Sequence, residues 1–279
     1  MLRTLKQIED YVIEATDGPV GHIQDCYFDD EAWTLRYLVA ETGRWLSSRT
    51  ALISPIAVNN LDWEIHKVYV ILDREHIEKS PDINISKPIS RQDEEILLDY
   101  YNYPYYWGGI GLWGMSMYPT FQRDPNPEPH DWGNIMARTE IVHNEDNDPH
   151  LRSAASLLSY RIHTSDGFIG HVDDLIFDEE CWALRYFIVN TGGWMADQLL
   201  LIATSWITHV DWNERIIHIG LHRDAIRKAP LYESDKVLTR ETEEMLHNHY
   251  GVSGYWPNED SEEEIESYCK PSTIKRFSH

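Results

Sequence analysis

The sequence predicts a mainly β protein with short helices, laid out as two tandem copies of one small antiparallel barrel or sandwich. Each copy is followed by a short helical extension. Three observations predict this. Residues 17–45, DGPVGHIQDCYFDDEAWTLRYLVAETGRW, return as residues 166–194, DGFIGHVDDLIFDEECWALRYFIVNTGGW, a duplication at constant offset (166 − 17 = 149). Short apolar runs alternate with polar residues between turn signals, the pattern of strands buried on one face. A capped amphipathic stretch then closes each copy.

Taken in order, Tyr11, Ile13 and Ala15 alternate against polar neighbours as a half-buried strand. Thr16-Asp17-Gly18-Pro19 is a turn, because Asp and Gly tolerate left-handed backbone and Pro presets φ. Residues 20–28 form a second strand, matched by 169–177, and the internal Gly21 and Gly170 point to a bulge or a close backbone approach. Asp29-Asp30-Glu31 turns the chain into a third strand over 33–40. Residues 51–58 and 67–72 add two more, with Asp62-Trp63-Glu64 turning between them, as Asp211-Trp212-Asn213 does later. A short helical turn at 73–77 ends before Pro81. Ser90 then caps a helix whose first turn is acidic, as the positive helix end favours. Ile96, Leu97, Tyr100 and Tyr101 give that helix an apolar face. Thr239 caps the second copy, whose face carries Met245, Leu246, His249 and Tyr250.

Residues 2–107 match 151–256 without a gap, about a third of the pairs being identical, so a whole structural unit was duplicated. The predicted organisation is a first repeat with its helical extension (1–107), a Gly-, Pro- and aromatic-rich linker (108–150), a second repeat with its extension (151–256) and an acidic tail (257–279). The linker's large apolar residues, among them Trp113, Phe121 and Trp132, argue that parts of it dock rather than float.

A formal net charge of −23 repels phosphate backbones and anionic lipid, which disfavours nucleic acid and membrane surfaces as partners. No apolar run approaches the ~20 residues of a membrane span, so direct insertion is not expected. Cys26, Cys181 and Cys269 are odd in number, far apart and without metal-like spacing. Reduced thiols in a cytoplasm fit them best.

The pattern G-H-x-x-D, F-D, W-x-L-R-Y and T-G-x-W resembles the PRC-barrel family, named after the cytoplasmic domain of the photosynthetic reaction centre H subunit. The matching residues are Gly21, Asp25, Phe28-Asp29, Arg36-Tyr37 and Thr42-Gly43, and in the second copy Gly170, Asp174, Phe177-Asp178, Arg185-Tyr186 and Thr191-Gly192. The resemblance covers both repeats and leaves the linker and tail unexplained. It implies two small β-barrels that dock proteins, and it carries no catalytic residue set. The helix beyond each repeat looks like the extension of bacterial proteins with two such domains.

Among individual residues, Arg36 and Arg185 stand in apolar strands, where an unpaired guanidinium is costly. The expected ion pairs are Arg36 with Asp25 and Arg185 with Asp174. His22 and His171, with nearby acids such as Asp173, could ligate a divalent cation, although a closed site needs three or four ligands. Tyr101, Tyr106, Trp107, Tyr250, Tyr255 and Trp256 cluster with few charges. They form either a docking surface or a set of rings folded back on their own repeat. Trp33, Trp45, Trp63, Trp182, Trp194 and Trp212, at turn edges, offer a carbohydrate or aromatic platform or strand-end packing. No nucleophile motif, phosphate-cradling loop or cofactor signature occurs. These readings predict a non-enzymatic protein-binding or assembly module that takes a protein partner or self-associates. A metal- or small-ligand-binding protein is the second reading.

Overall fold

A computed structural model describes residues 1–42, 50–107, 109–120, 149–195, 197–234 and 236–256. Gly43, Trp45, Gly108, Phe121, Trp132, Cys269 and the acidic 257–279 segment lie outside the described residues.

The described chain is mainly β with a few short helices. The first repeat supplies strands β1 (Leu2–Thr4), β2 (Val12–Ala15), β3 (Gly18–Asp29), β4 (Thr34–Glu41), β5 (Thr50–Ile53), β6 (Val58–Asp62), β7 (Lys67–Val70) and β8 (Ile89–Ser90). Its helices are α1 (Leu5–Ile8), α2 (Arg74–Glu78) and α3 (Arg91–Tyr101). The second supplies β9 (Pro149–Ser153), β10 (Arg161–Thr164), β11 (Gly167–Asp178), β12 (Leu184–Asn190), β13 (Leu199–Ala203), β14 (Ile207–Asp211) and β15 (Ile216–Ile219), with α4 (Arg223–Ile226) and α5 (Arg240–Tyr250). The expected single strand over 51–58 is split, because Pro55 opens a 3-10 turn, Pro55–Ala57, capped by Ser54. Proline lacks the N–H that a continued ladder would use.

The chain divides into two compact units whose bounds are not those of the repeats. One comprises Ile8–Asp30 and Leu35–Ser153. Its sheet runs β5-β4-β3-β2-β7-β6, with β9 added antiparallel to β3 and to β8. The other comprises Met1–Gln7, Glu31–Thr34 and Ala154–His279. Its sheet runs β13-β12-β11-β10-β15-β14, with β1 added antiparallel to β11. Leu151 lies opposite Asp29, and Leu2 opposite Asp178. The two registers are the same once the 149-residue offset is applied. Each unit is therefore completed by the opening strand of the other repeat. Both ladders run as open paths rather than closed rings. Each also contains one parallel pair, β2 with β7 and β10 with β15, among antiparallel neighbours.

Alternation sets the buried faces. Ile13 and Ala15 of β2 point inward, as do Ile162 and Thr164 of β10. In the first-repeat unit, Tyr27, Tyr37, Val39, Leu52, Ile89, Leu97 and Leu151 form one core cluster, joining α3 and the added β9 to the sheet. Ser90 caps α3 by accepting from the Asp93 N–H, and Thr239 caps α5 from the Thr242 N–H. Left-handed residues end both helices, Asn102 (φ 55°) and Gly251 (φ 65°).

Gly21 and Gly170 mark a close approach. A methyl group on Gly21 would collide with the Glu41 carbonyl oxygen, and one on Gly170 with that of Asn190. Gly170 also holds a φ of 157°, which a side chain resists. Gly170→Ala is expected to destabilise the second-repeat unit by about 1–3 kcal/mol, the scale of forced overpacking. Urea unfolding checks this; an unchanged midpoint would contradict the close approach.

Candidate functional site

The helices bury an acid where an apolar residue would ordinarily sit. Glu94 of α3 is 1% exposed and Glu243 of α5 is 2% exposed, each on the same face as a buried leucine, Leu97 and Leu246 respectively. A carboxylate taken out of water must be repaid by charge and hydrogen bonds. Each is.

In the first-repeat unit, the Tyr37 hydroxyl donates to Glu94 Oε1 at 2.9 Å, and the Tyr106 hydroxyl donates to Oε2 at 2.9 Å. His150 Nε2, from β9, reaches the same Oε2 at 2.8 Å, and Arg91 Nη1 lies 3.8 Å from it. Arg36 of β4, 2% exposed, lies with its guanidinium 3.5 Å from the Tyr106 ring centre and 4.8 Å from that of Trp113. It donates to the Leu112 carbonyl at 2.6 Å and to Asp29 Oδ2 at 3.2 Å. Arg91 packs 4.4 Å over Trp107. Sheet, helix and post-helical aromatics are thus tied at one point.

The second-repeat unit repeats the plan. Tyr186 and Tyr255 both donate to Glu243 Oε1 at 2.8 Å, and Arg240 Nη1 lies 2.9 Å from Oε2. Arg185 lies 3.8 Å from the Tyr255 ring centre, 3.7 Å from Asp178 Oδ2 and within 3.4 Å of Cys181 Sγ. Arg240 packs 4.4 Å over Trp256. An imidazole is again present, but it comes from α5: His247 Nε2 is 3.0 Å from the Tyr186 hydroxyl. By the repeat offset, His150 matches Met1 and His247 matches Leu98, so each unit acquired its histidine separately.

These surroundings set the protonation. Burial and the neighbouring Glu94 carboxylate push the Tyr37 and Tyr106 hydroxyls well up. Burial and Glu243 do the same to Tyr186 and Tyr255. None of these phenols is a nucleophile near neutrality. Burial works against the His150 imidazolium, but the hydrogen bond and charge of Glu94 outweigh it and raise His150. His247 has no such carboxylate bond, and burial lowers it. Burial raises Glu243 despite the opposing pull of Arg240 and the two phenols. Chemically the cluster is a lock, with its donors and acceptors turned on one another.

The structure brings together several residues singled out in the sequence, in different partnerships. Arg36 and Arg185 pair with Asp29 and Asp178, not with Asp25 and Asp174. Asp25 instead bonds Ser153 Oγ and the Cys26 N–H, while Asp174 accepts from the N–H groups of Leu175 and Lys6. The strand-end acid reaches the arginine on the adjacent strand; the acid four residues earlier serves the added opening strand. Tyr106 is buried and Tyr255 turns its hydroxyl inward onto Glu243, while Tyr101, Trp107, Tyr250 and Trp256 are half-buried. Tyr101 stacks on Tyr103, and Tyr250 packs against Trp206. Trp33 and Trp182 are core residues, not a platform. His22 bonds the Asp10 carbonyl through Nδ1, and Lys6 neutralises Asp173 at 2.8 Å. Among the described residues, no three His, Cys, Asp or Glu side chains converge as a ready-made metal site. Sequence reading missed Glu94, Glu243, Tyr37 and Tyr186 as partners, although an acid at the same helix position in both copies was a usable signal.

No family model matches the chain, and no curated protein matches it.

Burial pushes the Asp174 carboxyl up to about 6. A carboxyl raised on folding binds its proton more tightly folded than unfolded, so its contribution is favourable at low pH and is lost as pH rises from ~4 towards 6. Asp174→Asn is expected to gain stability relative to the parent across that window and to keep a constant advantage above it. Urea midpoints measured from pH 4 to 7.5 check this; a difference independent of pH would contradict it.

Proposed function

We propose that the chain is a non-enzymatic protein-binding or assembly module of two PRC-barrel-like units, acting in the cytoplasm. One observation carries this reading. Residues 109–116 form a tight loop in the first-repeat unit, closed by bridges Gly111–Gly114 and Trp113–Ser116. Leu112 and Trp113 anchor the loop inward, with Trp113 beneath Arg36, while Ile110 and Met115 stand 80% and 82% exposed. A large apolar pair held outward on an ordered loop costs solubility and is a natural docking tip. The buried clusters support the same reading from the other side, because the side chains with most chemistry are occupied in holding helices down. No described helix is long and apolar enough to cross a membrane.

The test is affinity capture from native extract at moderate salt, comparing the parent with Ile110→Ser/Met115→Ser, alongside light scattering of the purified chain. The double variant is expected to fold normally and to lose at least tenfold of a specifically captured protein, or of self-association. Equal recovery by parent and variant would contradict the assignment of the tip.

A further inference from the structure

Three histidines lie side by side on the second-repeat sheet. His163 of β10 is directly opposite His218 of β15, and His209 of β14 is directly opposite His218 from the other side. Residues opposite one another in a ladder share a face. Here it is the outer face, since Ile162, Thr164, Ile217 and Ile219 point into the core. The ring centres are 5.7 Å apart for His163 and His218, and 5.9 Å for His209 and His218.

We propose that this histidine row is a surface site for a divalent transition-metal ion of the Zn2+, Ni2+ or Cu2+ type, with His218 as the shared ligand. Two imidazoles on one ion, with metal–nitrogen bonds of about 2.0–2.1 Å at right or tetrahedral angles, place their ring centres roughly 4.5–5.2 Å apart. Each neighbouring pair is within an ångström or so of that spacing, a difference that small side-chain rotations cover. His163 and His209 flank His218 on opposite sides, about two strand spacings (roughly 10 Å) apart, so one ion takes His218 together with one of these neighbours and water completes the shell. Neutral imidazole is the donor these ions prefer over harder oxygen sites.

The duplication provides the control. By the repeat offset, the counterparts of His163, His218 and His209 are Glu14, Tyr69 and Asn60. They occupy the same register on β2, β7 and β6, with Glu14 held by Lys67 at 2.9 Å. The fold therefore places no demand for imidazole at these three positions.

The test is isothermal titration of the full chain at pH 7.5 with ZnCl2 and, separately, NiCl2. Because Tyr and Asn fill these positions in the first repeat, His218→Tyr and His209→Asn are the variants most compatible with folding; circular dichroism and urea unfolding confirm it. The parent is expected to bind one ion and to melt at higher temperature in its presence. His218→Tyr should lose at least tenfold in affinity and the melting shift with it, and His209→Asn several-fold. His76→Gln, at an exposed histidine that belongs to the other unit, should bind like the parent. Absence of binding by the parent, or binding retained by His218→Tyr, would overturn the proposal.

Discussion

A carboxylate buried beneath a helix is the constraint on which each unit depends. Glu94 and Glu243 could not lie inside a β structure without hydrogen-bond donors around them. Two phenols and an arginine meet each of them, and each phenol ring after the helix in turn carries a strand guanidinium, Arg36 or Arg185, on its face. The arginine then needs its own acid, Asp29 or Asp178, at the end of the neighbouring strand. Helix, aromatic ending and two strands are thereby fixed by one chain of contacts. Hydrogen bonds to charged groups contribute about 1.5–3 kcal/mol each, and losing one partner leaves the others buried and unpaired.

The duplication shows which parts of this chain of contacts are required. Glutamate, two tyrosines, two arginines and the strand-end aspartate recur at matched positions. The histidines do not: His150 enters the first-repeat unit on the added strand β9, whereas His247 belongs to α5. An imidazole joins each cluster by a different route, on the carboxylate in the first and on the strand tyrosine in the second, with opposite consequences for protonation. The outer sheet faces diverged further. The second copy carries a histidine row where the first has an ion pair and a tyrosine.

Much of the fold was legible in sequence because its causes are local. Alternation placed the strands, Ser90 and Thr239 announced the helices, and the crowded backbone at Gly21 and Gly170 followed from glycine inside a strand. Non-local partnerships were not legible. Nothing in the spacing of Asp25 and Asp29 says which acid meets Arg36, since that depends on how β3 and β4 are staggered. Nor could an ungapped repeat reveal that β1 and β9 each complete the unit of the other copy, because exchanged and unexchanged strands make identical hydrogen bonds. The aromatic endings read equally well as surface or as packing until Glu94 and Glu243, their buried acceptors, were in view. The histidine row escaped for the same reason: its members are 46 and 9 residues apart (163 to 209, 209 to 218) and meet only across strands.

The most direct test of the buried-carboxylate account is amide hydrogen exchange of α3 and α5 in the parent chain and in Glu94→Ala and Glu243→Ala. The account predicts helix amides protected nearly as well as those of β3 and β11 in the parent. It also predicts a loss of at least a hundredfold in α5 when Glu243 is removed, consistent with the ~3–5 kcal/mol cost of breaking a buried pair, and likewise in α3 for Glu94. Fast exchange of both helices in the parent, or helix protection unchanged in the variants, would contradict it.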